Sequence, residues 1–133
     1  MTGIDTNVLV RYITRDDPEQ YRIAKSFLES NCTQEEPGYV NVIVLSELAW
    51  VLTSVYDATQ EELTGTLDQL LRTRQLQIER RDQVRLALEQ YRRSAADFPD
   101  CLLGQLNQHE GCTETVTFDQ DASNMEGWRE LGK

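Results

Sequence analysis

The sequence predicts an α/β fold, a three-layer α/β/α sandwich with a mostly parallel sheet of four to five strands. Three observations carry this. Short apolar or alternating runs recur between helical patterns along the 133 residues. No two successive runs are joined by a tight hairpin signal, and several of the intervening helices open on recognisable caps. Strands that alternate with helices pair in parallel through right-handed crossovers, because only a crossover returns the chain in the same direction. A chain of this length can bury one sheet under helices, and a single domain over 1–133 is expected.

The elements follow in order. In MTGIDTNVLV, Gly3 and Ile4 end a short buried strand, which puts Asp5 at its carboxyl end, where open parallel sheets hold their ligands. Asp5 is equally a good N-cap for a helix over 7–12, and both readings stand. Asp17, Pro18 and Gln20 state the next helix start as N-cap, first helical position and capping-box position. Tyr21, Ala24, Phe27 and Leu28 continue it at helical spacing to about Ser30. The polar stretch 33–38 is a loop, and Tyr39 to Val42 a short strand.

From Val42 the pattern becomes helical. Leu45, Leu48, Leu52 and Val55 form one stripe, and Ile43, Glu47, Trp50 and Ser54 a second. Glu47, flanked by large apolar residues, is expected in an interior or a cleft. Thr59-Gln60-Glu61-Glu62 is a capping box, opening a helix with Leu63, Leu67, Leu70 and Leu71 that ends near Arg74. Leu76 and Ile78 alternate with polar residues as a third strand, and Asp82 is expected to cap a helix carrying Val84, Ala87, Leu88 and Tyr91. Residues 94–98 form a break. Pro99 fits only the first turn of the next helix, since it lacks a backbone donor. That helix carries Leu102, Leu103 and Leu106 and stops at Gly111. Thr115 to Phe118 reads as a fourth strand ending on Asp119, and Gly127 to Leu131 as a short edge strand.

Composition bounds the function. Thirteen basic against 23 acidic side chains give −10, which argues against a protein that holds nucleic acid mainly by long-range attraction. Seven arginines between Arg72 and Arg93 are a local exception, read first as a solvated helix face and second as a surface for phosphate or an acidic partner. Cys32, Cys101 and Cys112 are an odd set without paired spacing, so neither a disulfide framework nor a zinc site is indicated. One histidine, His109, removes any multi-histidine metal site and argues against a Ser-His-Asp arrangement. No signal peptide or membrane span is expected, and the chain reads as cytoplasmic.

Acids recur at the ends of apolar segments: Asp5, Glu47, Asp100 and Asp119, with Asp97 and Asp121 nearby. If the strands before Asp5 and Asp119 are neighbours, these two side chains face one crevice, and Asp100, early in its helix, can overhang it. Asp97 either caps that helix or joins the cluster. Carboxylates brought together repel unless a cation compensates. An oxygen-only ligand set selects Mg²⁺ or Mn²⁺ over zinc, and such an ion supports in-line attack of water on a phosphodiester. The Thr6, Asn7 and Thr117 side chains could orient metal-bound water.

The spacing of Asp5-Thr6-Asn7 after an apolar pair, Glu47 in VLSELAWVL, Asp97-Phe98-Pro99-Asp100 and Thr117-Phe118-Asp119 resembles a PIN domain of the VapC type, the ribonuclease toxin of bacterial toxin–antitoxin pairs. The resemblance covers nearly the entire chain. It implies a Mg²⁺- or Mn²⁺-dependent endoribonuclease acting on RNA, commonly a homodimer, inhibited by a VapB-type antitoxin. By the same match Asp5, Glu47, Asp100 and Asp119 are metal-coordinating and catalytic, with Asp97 and Asp121 in support. Gln120 stands where many relatives carry Arg.

Other classes remain open. A receiver-like phosphoryl-binding domain also clusters acids at strand ends but needs a lysine beyond a late strand, and the chain has only Lys25 and Lys133. A phosphatase of the haloacid-dehalogenase kind would want a second Asp where Asn7 stands. A noncatalytic PIN-like domain that keeps the acids for folding or binding is the remaining rival.

Overall fold

The computed structural model describes residues 1–132. The chain divides into two compact units, the first over Met1–Arg80 and the second from Arg81 onward.

In the first unit, β1 (Thr2–Gly3), β2 (Gly38–Val40) and β3 (Leu76–Ile78) form a parallel sheet in that order, with Thr2 opposite Gly38 and Gly38 opposite Leu76. The crossovers are α1 (Thr6–Thr14), α2 (Pro18–Ser26) continued by a π-helical turn over Phe27–Asn31, α3 (Val42–Ser54) and α4 (Gln60–Arg72). Their apolar stripes pack where expected. Leu9, Val40, Leu45, Leu48, Leu63 and Leu67 are fully buried, each worth about 1.5–3 kcal/mol relative to exposure. The capping box is complete: Glu62 N–H donates to Thr59 Oγ1 at 3.1 Å, and Thr59 N–H to Glu62 Oε1 at 2.9 Å.

Several boundaries differ from the sequence reading, each for a local reason. The expected buried strand ending on Ile4 is two exposed residues; Ile4 is buried just past it, its N–H still donating to the Tyr39 carbonyl at 2.9 Å. β2 stops at Val40 rather than Val42, because Asn41 caps α3 by accepting from Val44 N–H at 2.9 Å. Gln20 does not close a capping box with Asp17. Asp17 accepts from Gln20 N–H at 3.0 Å, but the Gln20 side chain accepts from Arg11 Nε at 2.8 Å. Val55, placed on one stripe with Leu45, Leu48 and Leu52, is the C-cap of α3 and exposed, while those three are buried. α4 ends at Arg72, where the Thr73 hydroxyl turns back to the Gln69 carbonyl at 2.8 Å.

The second unit contains α5 (Arg81–Arg92), α6 (Phe98–His109), β4 (Thr115–Thr117), α7 (Gln120–Ser123) and β5 (Trp128–Glu130). β4 and β5 pair in parallel, Thr115 opposite Trp128, so the five strands hydrogen-bond as a sheet of three and a pair. α5 buries Val84, Ala87, Leu88 and Tyr91 as its periodicity predicts, and packs on α6, where Phe98 and Cys101 are fully buried. The Tyr91 and Phe98 rings meet edge to face at 6.1 Å. Asp82 does not cap α5 but lies inside its first turn. Phe98 is helical rather than part of the break, because Asp97 is the cap. Phe118 lies beyond the end of β4 and is 80% exposed.

α6 is tied to the strand pair by Asn107 Nδ2, which donates to Thr115 Oγ1 at 3.0 Å, and by Gly104, whose missing side chain admits the Trp128 indole. A Cβ at Gly104 would stand 2.5 Å from the Trp128 ring nitrogen. Gly111, at φ 101, follows the α6 C-cap as expected. Among the described residues, no helix is long and apolar enough to cross a membrane.

Candidate functional site

In the first unit the acids are organised around Thr6. Asp5 is the N-cap of α1, its Oδ1 accepting from Thr6 N–H at 2.8 Å. The Thr6 side chain, the one buried polar side chain of that unit, donates its hydroxyl to Glu47 Oε1. One residue therefore holds both acids, Asp5 through its backbone and Glu47 through its side chain. Glu47 is not interior, as its apolar neighbours suggested. It lies on the exposed face of α3 with Ile43 and Trp50, while the residues that pack inward are Val44, Leu45, Leu48, Ala49 and Leu52. Asn7 is exposed beside Asp5.

The second unit gathers Asp97, Asp100 and Asp119. Asp97 caps α6 by accepting from Asp100 N–H at 2.8 Å, which settles its role as a cap without removing it from the cluster. Asp100 is half-buried, and burial, then the negative charges of Asp97 and Asp119, hold its carboxyl above the ordinary carboxylate range. Asp119 caps α7, its Oδ1 accepting from the N–H groups of Asp121 at 2.9 Å and Ala122 at 3.3 Å. Thr117 fixes the same corner, its Oγ1 accepting from Asp119 N–H at 2.9 Å. Asp121 is exposed and contributes its backbone to that cap. The capping role of Asp119 was missed in the sequence, although an Asp opening the short run QDAS is a visible signal.

The remaining reactive groups are accounted for. Burial, with the charges of Asp97 and Asp100 adding to it, pushes the Cys101 thiol up to about 11, so it is a neutral packed group rather than a nucleophile. Cys32 is buried and Cys112 exposed, all three free. His109 ends α6 on the surface, its Nδ1 3.1 Å from Gln83 Nε2.

The donor set suits a hard divalent cation in chemistry. It consists of carboxylate oxygens, and the repulsion felt at Asp100 is what a cation relieves. Among the described residues, neither unit by itself arranges three or more His, Cys, Asp or Glu side chains so as to hold an ion. Asp5 and Glu47 are the candidate carboxylate ligands of the first unit, and Asp100 and Asp119 those of the second.

With parallel strands, crossover helices and acids at strand and helix ends, the chain has the character of an α/β nuclease. It belongs to the PIN domain family, whose match covers residues 4–127. PIN domains are in general nucleases, so membership places the chain in a superfamily of hydrolases that act on nucleic acids. Comparison with curated proteins and with solved structures returns no significant match.

Proposed function

We propose that this chain is a Mg²⁺- or Mn²⁺-dependent endoribonuclease of the VapC type, the cytoplasmic toxin of a VapBC-type pair. Its partners are then RNA, a VapB-type antitoxin and a second copy of the chain. Asp5, Glu47, Asp100 and Asp119 are the catalytic and metal-coordinating acids, with Asp97, Asp121, Thr6, Asn7 and Thr117 in support. PIN family membership supports the reading. The observation that carries it is the clustering of Asp97, Asp119 and a half-buried Asp100 at one corner of the second unit, where burial and like charge hold the Asp100 carboxyl above the ordinary range.

These acids would hold a divalent cation, and the chemistry it would supply there is Lewis-acid polarisation of a phosphoryl oxygen and a water of lowered pKa. The chain's own residues do the rest. Thr6 fixes Asp5 and Glu47, and Thr117 with the α7 amides fixes Asp119, so the carboxylates are oriented before substrate arrives. Asp100, half-buried beside Asp97 and Asp119, is the carboxylate whose charge a bound cation would relieve. Attack of water at phosphorus with loss of the 3′ oxygen leaves 5′-phosphate and 3′-hydroxyl ends.

A noncatalytic reading has one observation in its favour: Asp5, Asp97 and Asp119 are all helix caps with structural hydrogen bonds. Incubating the purified chain with total RNA, with Mn²⁺ and with EDTA, separates the two. Cleavage that needs Mn²⁺ and leaves 5′-phosphates is expected; intact RNA, or cyclic 2′,3′-phosphate ends, overturns the proposal.

A further inference from the structure

We propose that Trp50 and Phe118 are base-stacking residues through which the chain holds single-stranded RNA, so that binding rests on base faces more than on phosphate attraction. The inference rests on the ribonuclease reading above and deepens it. The chain has ten aromatic side chains, and eight of them are buried or half-buried. The two exposed ones are Trp50, at 59%, and Phe118, at 80%. Each adjoins an acid of the proposed site. Trp50 follows Glu47 by one helical turn on the outer face of α3, where Ile43 is also exposed at 75%. Phe118 immediately precedes Asp119, between two residues whose hydrogen bonds fix the corner. One such aromatic on a surface needs no explanation. That both exposed aromatics, one in each unit, adjoin assigned acids does.

The charge supplies the second argument. At −10 the chain cannot gather RNA through a broad positive field, and carboxylates at the site repel phosphates further. Stacking is indifferent to that repulsion, because every base presents a π-face, and each aromatic platform is worth about a 5- to 150-fold change in affinity. It requires unstacked bases, so the substrate class is single-stranded or looped RNA rather than duplex.

The test measures binding of a short single-stranded RNA to the Asp119→Asn chain in Mn²⁺, alone and with Trp50→Ala or Phe118→Ala added. Each alanine should weaken binding about 5- to 150-fold, and Trp50→Phe and Phe118→Trp should restore most of it. In a Trp128→Phe background, Trp50 fluorescence should quench as RNA binds. The slope of log Kd against log salt should correspond to no more than about three phosphate contacts, roughly 2 or less. In the cleavage-competent chain the alanines should raise KM and leave kcat nearly unchanged.

Alanine variants that bind RNA as tightly as their parent overturn the proposal, as does a steep salt dependence. A change of oligomeric state without a change in RNA affinity also overturns it and assigns the two aromatics to a protein interface. If the unaltered chain neither cuts nor binds RNA, the ribonuclease reading falls with it. If it cuts and the alanines leave KM unchanged, stacking alone is refuted.

Discussion

Replacing Thr6 with Val tests how the acids of the first unit are held. The hydroxyl donates to the Glu47 carboxylate, and the backbone N–H donates to Asp5 whatever the side chain. Hydrogen bonds to charged groups are worth about 1.5–3 kcal/mol when both partners are shielded. Here Glu47 is exposed, so water replaces the lost donor, and Val fills the same buried space without leaving a polar atom unpaired. The stability loss should therefore stay near ~0.5–1 kcal/mol, a few degrees in melting temperature. Activity should suffer more, because Glu47 loses its orientation; a group that positions a metal ligand typically contributes about 10- to 100-fold. Thr6→Ser keeps the donor and should retain most of the rate. RNA cleavage across a Mn²⁺ titration, with thermal melts alongside, reads both quantities. Valine with unaltered cleavage and Mn²⁺ dependence would refute the assignment of Glu47 as a positioned ligand.

Asp5→Asn and Asp119→Asn should abolish cleavage with little change in melting temperature, since Asn serves as an N-cap nearly as well as Asp; unfolded variants would instead mark the acids as structural. Asp100→Asn should raise stability at neutral pH while abolishing activity. Because the folded carboxyl is raised, its stabilising protonated form persists below the unfolded carboxylate range and is lost as pH rises through the folded value, so at pH 7 the charge is a net cost. With Asp97 and Asp119 exposed, screening limits the gain to about 0.2–1 kcal/mol, and denaturant melts should show it vanishing on acidification. Gly104→Ala should destabilise despite alanine's helix advantage of about 1 kcal/mol, because the added Cβ meets the flat Trp128 ring; a higher melting temperature would contradict that packing. Millimolar Mn²⁺ should raise the melting temperature of the unaltered chain, less so once Asp119 or Glu47 is neutralised.

What the sequence revealed was mostly what local chemistry decides. The Thr59–Glu62 box and the Asp17 cap are formed, and the leucines of α4 and the inner face of α5 are buried as their spacing requires. Where two apolar stripes share one helix, periodicity cannot say which turns inward. On α3 the stripe with Ile43 and Trp50 lost, and Glu47 went outward with it. Strand ends shifted where a side chain stopped the ladder, as Asn41 does after β2. The grouping of five strands into three and two depends on pairing between distant segments, which no local pattern encodes. For the site, the acids were visible as types at segment ends. The hydroxyls that orient them, Thr6 on Glu47 and Thr117 on Asp119, appear only in three dimensions.

The seat of Trp128 on Gly104 has one more consequence. Gly104 lies one turn beyond Asp100 on α6, and Trp128 begins the strand paired with β4, whose end leads to Asp119. An uncharged ring resting on bare backbone thus joins the helix that carries Asp100 to the strand pair that leads to Asp119. Exchanging Asp100 or Asp119 for Asn leaves that contact in place, so the charge at this corner can be changed one residue at a time while the helix stays seated on the strand.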